Sequence, residues 1–177
     1  MAGKTQFIKR KQEVSEADKT KVFAKGERRE DFADMWSNTG NILLVGLPGS
    51  NRVALGRELA ARMGIQLCQP ADMDALQRDC AEGNRVIVVP TAILEQPENV
   101  SFVHGAGKVF YLMADARQLA ERLEDRSPSG DADSLWRECA LRLEAGQAAF
   151  MTALHFIVQA SGSVEDMAED VMEKVSW

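Results

Sequence analysis

From Asn41 onward, short unbroken apolar runs alternate with stretches in which apolar residues recur every three or four positions. The runs are Ile42–Val45, Ile65–Cys68, Val86–Val89, Val109–Leu112 and Phe156–Val158. Runs this short, without polar alternation, predict strands buried on both faces. Between them, Leu55, Leu59 and Met63 share one helical face, and Gly64 closes that helix. Asp115, with Gln118 three residues on, opens a helix over Asp115–Asp125. A long helix behind Ser134 carries Leu135, Cys139, Leu143, Gly146 and Phe150. Ser163 with Asp166 opens a last one bearing Val164, Met167, Val171 and Val175. Strands interleaved with helices predict βαβ units, hence a three-layer α/β fold with a mostly parallel five-stranded sheet and flanking helices.

The first forty residues follow neither pattern. Met1 to Gly26 is polar and lysine-rich and reads as a flexible basic arm. Phe32, Met35 and Trp36 then stand at helical spacing, so residues 27–37 are expected to dock as a short helix on a domain spanning 27–177.

Charge divides along the same line. The chain of 177 residues has a net charge of −6. Residues 1–32 hold nine basic against six acidic side chains, a net of +3, and the remainder holds twelve against twenty-one, a net of −9. An acidic body excludes charge-driven nucleic-acid binding, while the arm is a candidate contact for a protein partner. Cys68, Cys80 and Cys139 lack metal-ligand spacing and read as reduced thiols. With no membrane-length apolar run, the expectation is a cytoplasmic protein that makes no use of a membrane.

The chemistry concentrates after the first strand. Gly46-Leu47-Pro48-Gly49-Ser50-Asn51-Arg52-Val53 occupies the strand–loop–helix setting of the phosphate-binding motif G-x-x-x-x-G-K-[ST]. Such a loop works through backbone N–H groups that form an anion nest at a helix N-terminus. Gly46, Gly49 and Ser50 supply the turn. Asn51 replaces the second glycine and tolerates a left-handed backbone. Arg52 keeps a positive charge in a wide planar fork instead of a point charge. Val53 cannot ligate magnesium as a hydroxyl would, so no metal site is expected.

With this loop the chain resembles the shikimate kinases, within the P-loop NTPase fold. The carrying residues are Asn41 to Leu67, with Leu55-Gly56-Arg57-Glu58-Leu59-Ala60 in the helix, then Lys108 to Leu112 and Leu119-x-x-Arg122. The resemblance implies ATP as phosphoryl donor and puts Arg126, in a lid-like stretch ending at Gly130, over the nucleotide. It also implies an Asp-x-Asp after the second strand, where Gln69 and Ala71 stand, and a glycine triplet at Pro90-Thr91-Ala92. Its substrate-clamping arginine falls on Gly146. Only Pro70 to Arg85 separates the second and third strands, room for one helix where the family places a substrate-binding subdomain.

These replacements lead to the expectation of a catalytically inactive binding or regulatory module with residual nucleotide or anion affinity through Gly46, Gly49, Ser50, Asn51, Arg52, Val53 and Arg126. Two alternatives stand beside it: an atypical ATP-dependent small-molecule phosphotransferase, and a structural interaction protein that binds no nucleotide. Elsewhere, Asp72 and Asp74 read as a helix start, and Ser161-Gly162-Ser163 as another. His104 to Lys108 reads as a surface turn, and His155 as a structural residue.

Overall fold

The computed structural model describes residues 39–126 and 131–175; the basic segment 1–26, the segment 27–37 expected to dock as a helix through Phe32, Met35 and Trp36, residues 127–130 and residues 176–177 lie outside them. Five strands, β1 (Ile42–Val45), β2 (Gln66–Cys68), β3 (Arg85–Val88), β4 (Lys108–Met113) and β5 (Phe156–Gln159), form one sheet in the order β2-β3-β1-β4-β5. Every pairing is parallel. Leu43 sits beside Ile87 on one edge and Val109 on the other. The expected α/β architecture is the observed one.

β1 is the central strand, and its four side chains are at most 1% exposed. Parallel neighbours require crossovers, supplied by α1 (Arg52–Met63), α2 (Met73–Glu82), α3 (Thr91–Leu94), α4 (Pro97–Gly105), α5 (Ala116–Arg126), α6 (Ala132–Ala153) and α7 (Val164–Val175). α1 packs on β3 and α7, while α6 lies across β4 beside α4 and α5. Stacked rings, Tyr111 on Phe150 and Phe110 on Phe156, join β4 to α6 and β5 at centroid distances of 5.0 Å.

Helix starts follow side-chain chemistry. Asp72 caps α2 by accepting from Ala75 N at 2.8 Å, and Asp115 accepts from Gln118 N at 2.8 Å ahead of α5. Ser163 and Asp166 form a reciprocal capping box, with the Ser163 hydroxyl accepting from Asp166 N at 3.1 Å and Asp166 accepting from Ser163 N at 3.3 Å. α6 begins earlier than its apolar pattern suggests, because Asp131 accepts from Ser134 N at 3.0 Å. Between β2 and β3 there is one helix, α2.

The expected surface turn at His104–Lys108 is corrected. His104 and Gly105 belong to α4, which starts at Pro97, and Ala106 and Gly107 are buried. A Cβ at Gly107 would stand 2.5 Å from Asn41 O, so only glycine lets the two backbones approach this closely. Polar residues hid α4; its buried contacts are only Val100 and Val103.

Asn41 ties the amino ends of the strands together. Its side chain, 1% exposed, donates to Cys80 O at 2.8 Å and Ala106 O at 3.2 Å, and accepts from Arg85 N at 3.2 Å. Ala106 O keeps the Thr39 hydroxyl at 2.9 Å, so truncation leaves two backbone groups, Cys80 O and Arg85 N, without the amide, each costing about 1–3 kcal/mol. Asn41→Ala is therefore expected to lose about 2–4 kcal/mol in urea unfolding; a loss below about 1 kcal/mol would remove this role.

His155 accepts from Val109 N at 3.0 Å through Nδ1, and its ring lies 4.2 Å from that of His104. Burial, and secondarily the nearby His104, pull its pKa down from 6.5 to about 4. The unfolded chain thus binds the proton first, so the stability from a neutral His155 is complete above pH 6.5 and lost as pH falls toward 4. Melting temperatures between pH 7 and 5 should drop more steeply for the wild type than for His155→Gln; parallel curves would count against this assignment.

Candidate functional site

The first helical turn of α1 lies directly beyond the carboxyl end of β1, and the loop between them is shaped by backbone. Gly46 and Gly49 have φ of +147° and +93°. A Cβ at Gly46 would lie 2.9 Å from Leu112 O, and one at Gly49 2.9 Å from Leu119 O. Both close approaches and both dihedrals demand glycine. Asn51 adopts φ 65°, ψ 20° as the N-cap of α1, so it serves in the conformation that glycine would supply. Ser50 is 1% exposed, and both its hydroxyl and its N–H donate back to Leu47 O, at 2.8 and 3.2 Å, so it closes the turn from inside.

Arg52 begins α1 with its guanidinium part-buried, donating to Val89 O at 2.6 Å beyond β3. Desolvation lowers its pKa to about 10, which leaves it charged at neutral pH. Thr91 makes a second bond between the same segments, its hydroxyl donating to Gly46 O at 3.1 Å. Val53 packs against the core. Arg126, exposed at the end of α5, donates to Asn51 Oδ1 at 2.9 Å and so stands over the loop. The fold thus gathers all seven expected residues at one place, with Ser50 and Val53 turned inward.

A residue outside that set holds the loop. Arg122 donates from Nη1 to Gly49 O at 3.2 Å and from Nη2 to Ala160 O at 2.5 Å, linking the phosphate loop to the turn after β5. Its sequence signal was the Leu119-x-x-Arg122 spacing. Nothing in the sequence marked the two carbonyls it reaches.

Beside the loop opens a cleft of about 600 Å³, bounded by Leu47 and Pro48, by Thr91 and Leu94, and by the Gly146–Phe150 face of α6. Among the described residues no group of three His, Cys, Asp or Glu side chains is placed to hold a metal ion. Glu58, nearest in sequence, pairs with Arg62 at 2.6 Å, and Asp72 and Asp115 cap helices. The position that supplies a magnesium-ligating hydroxyl in such loops is the apolar Val53 here.

The sequence model of the family described as Shikimate kinase matches residues 54–176, well over half of the chain. This chain belongs to the shikimate kinase family. Among its relatives, shikimate kinase 2 of Sodalis glossinidius is 22% identical over 167 residues, covering 77% of this chain and 96% of that protein. The solved shikimate kinase of Bacteroides thetaiotaomicron superposes with a TM-score of 0.67 at 17% identity, over 77% of this chain and 98% of its own. That of Acinetobacter baumannii, solved in complex with shikimate, gives 0.64 at 17% identity over 77% and 92%. At these identities the structural likeness speaks for the fold.

The relatives correct the expectation of a catalytically inactive module. They are shikimate kinases matched over nearly their whole length, and the family model runs to the final helix. The expectation weighed side-chain identities in a loop whose anion nest is made by backbone. Asn51 takes the left-handed conformation of the glycine it replaces, and Arg52 retains the charge. The phosphotransferase alternative is the better-supported reading. Among the described residues no helix is long and apolar enough to cross a membrane.

Charged hydrogen bonds of the Arg122 kind contribute about 1.5–3 kcal/mol each. Arg122→Lys cannot span both carbonyls and is expected to cost about 1–2 kcal/mol in chemical denaturation, with faster hydrogen exchange in the loop. An unchanged exchange rate would show that the loop does not depend on this tie.

Proposed function

We propose that this protein is a shikimate-kinase-type phosphotransferase, moving a phosphoryl group from ATP to a hydroxyl of a small molecule. The observation that carries the reading is the nest at the start of α1. Gly46, Gly49 and Asn51, all at positive φ, turn the backbone at a helix N-terminus, where both N–H groups and the helix dipole favour phosphate.

Phosphoryl transfer rests on positioning and on neutralising charge that spreads over the phosphoryl oxygens. The loop N–H groups would hold the phosphate chain. Arg52, at the position nearest the nest, would exchange its bond to Val89 O for one to phosphate, its planar fork engaging two oxygens at once. Arg126 would add a second guanidinium from α5. Val53 stands where such loops carry a metal-ligating hydroxyl, and these arginines would supply positive charge to the phosphoryl oxygens. Water exclusion falls to the apolar cleft beside Pro48. Three free, buried cysteines suit a reducing cytoplasm, where we place the reaction.

Thermal unfolding with ATP tests the reading. A ligand at 100 times its Kd stabilises by about 2.7 kcal/mol. ATP should raise the melting temperature of the wild type, and Arg52→Ala should lose most of that rise while folding normally without nucleotide. Absence of any shift with ATP, with or without magnesium, would sink the proposal.

A further inference from the structure

Away from the phosphate loop, α5 and α6 border a second groove of about 650 Å³. Glu121, Glu124 and Asp125 line it from one face of α5, and Asp133 and Trp136 from the first turns of α6. The small side chain of Ala120, 5% exposed, leaves the space open beside the Trp136 indole, which is 47% exposed.

The charge of this groove is badly matched to its own helices. Among the described residues lining it, Arg117 is the one cation against four carboxylates, and it pairs with Glu121 at 3.1 Å. Glu121 and Asp125 are like charges one turn apart, an unfavourable spacing. Glu124 and Asp125 stand in the last turn of α5, the negative end of the helix dipole, where cations are favoured. Arg126, the basic residue of that turn, reaches instead to Asn51 Oδ1 at 2.9 Å. An aromatic wall beside surplus carboxylates calls for an occupant that joins apolar side chains to several cations.

The chain carries such a run. Phe7-Ile8-Lys9-Arg10-Lys11 sets two apolar side chains directly before three cations, and no acid occurs before Glu13. Its tether is long enough. The described chain begins at Thr39, whose carbonyl accepts from Asn84 N and whose hydroxyl donates to Ala106 O, both at 2.9 Å. Lys11 lies 28 positions earlier. Even a wholly helical course of that length spans about 42 Å, against a radius of gyration of about 14 Å for a domain of this size. Every face of the body is within range, so charge and shape select the landing site. We propose that the Phe7–Lys11 run docks in the groove between α5 and α6 of its own chain, with Phe7 and Ile8 against Trp136 and the cations among Glu121, Asp125 and Asp133. The docked run braces α5, the helix whose last residue, Arg126, stands over the phosphate loop.

The test is nuclear magnetic resonance on the full, isotope-labelled chain with a nitroxide on Gln6→Cys; the native thiols are buried. The three tryptophans give three indole N–H signals, and Trp136→Phe identifies the one from the groove. At low salt the nitroxide should erase most of the Trp136 signal, and reducing the nitroxide should restore it. Salt at about 1 M, where the Debye length falls to about 3 Å, should restore most of it as well. Lys9→Glu/Arg10→Glu/Lys11→Glu should abolish the broadening, as should Asp125→Lys/Asp133→Lys, and the two sets combined should recover it. The glutamate set lies outside the described domain, so it decides even where the lysine pair loses stability. An undisturbed Trp136 signal at low salt would overturn the proposal, and so would broadening that survives high salt or the glutamate set. In a mixture of unlabelled nitroxide chains with labelled chains lacking the nitroxide, Trp136 should stay sharp; broadening there would assign the run to a second copy and overturn the intramolecular site.

Discussion

β1 is hydrogen-bonded along both edges and buried on both faces, and this confinement governs the rest of the molecule. A central parallel strand can release the chain only at its ends. At the amino end Asn41 holds the neighbouring connections, and the turn before β4 must be glycine to come that close. At the carboxyl end the chain must turn immediately under Leu112 and Leu119, which forces Gly46 and Gly49 into conformations open to few other residues. The phosphate nest is a consequence of that crowding. Ligands in open α/β sheets bind at the carboxyl edge for the same reason, since side chains fill every other approach.

Arginines then convert a tight turn into a charged site with a defined shape. Arg122 grips Gly49 O and Ala160 O, so two loops separated by much of the chain move as one. Arg52 rests on Val89 O and Thr91 on Gly46 O, joining the ends of β1 and β3. A guanidinium bound to a carbonyl keeps its charge while losing little energy when an anion offers better acceptors. The resting bonds therefore hold the site in place without blocking it. They also explain how a loop lacking the customary lysine retains order around its positive end.

The correction about catalysis has a physical root. Reading the loop by its side chains makes Asn51, Arg52 and Val53 look like losses. The nest depends on φ and ψ, and asparagine is among the few residues that reach the left-handed region cheaply. Side-chain substitution is thus a poor measure of whether such a loop still cradles phosphate. It is a good measure of metal binding, because ligation needs an oxygen where Val53 places carbon.

Much was legible in the sequence alone. Five apolar runs became the five strands with ends shifted by a residue or so, because strands buried on both faces leave an unbroken signature. The caps at Asp72, Asp115 and Ser163 were readable because capping is local chemistry between residues three apart. α4 was not, for it buries only Val100 and Val103, too few to mark a helix, and its first turn opens on Pro97. The partners of Arg52, Arg122 and Arg126 likewise lay beyond reach, since each is a carbonyl or amide brought near only by the crossovers. Local pattern determined which segments are strands and where helices begin. The choice of which backbone oxygens meet which guanidinium, and hence the shape of the cleft, belonged to the folded sheet, because contacts between distant segments exist only once the strands are ordered side by side.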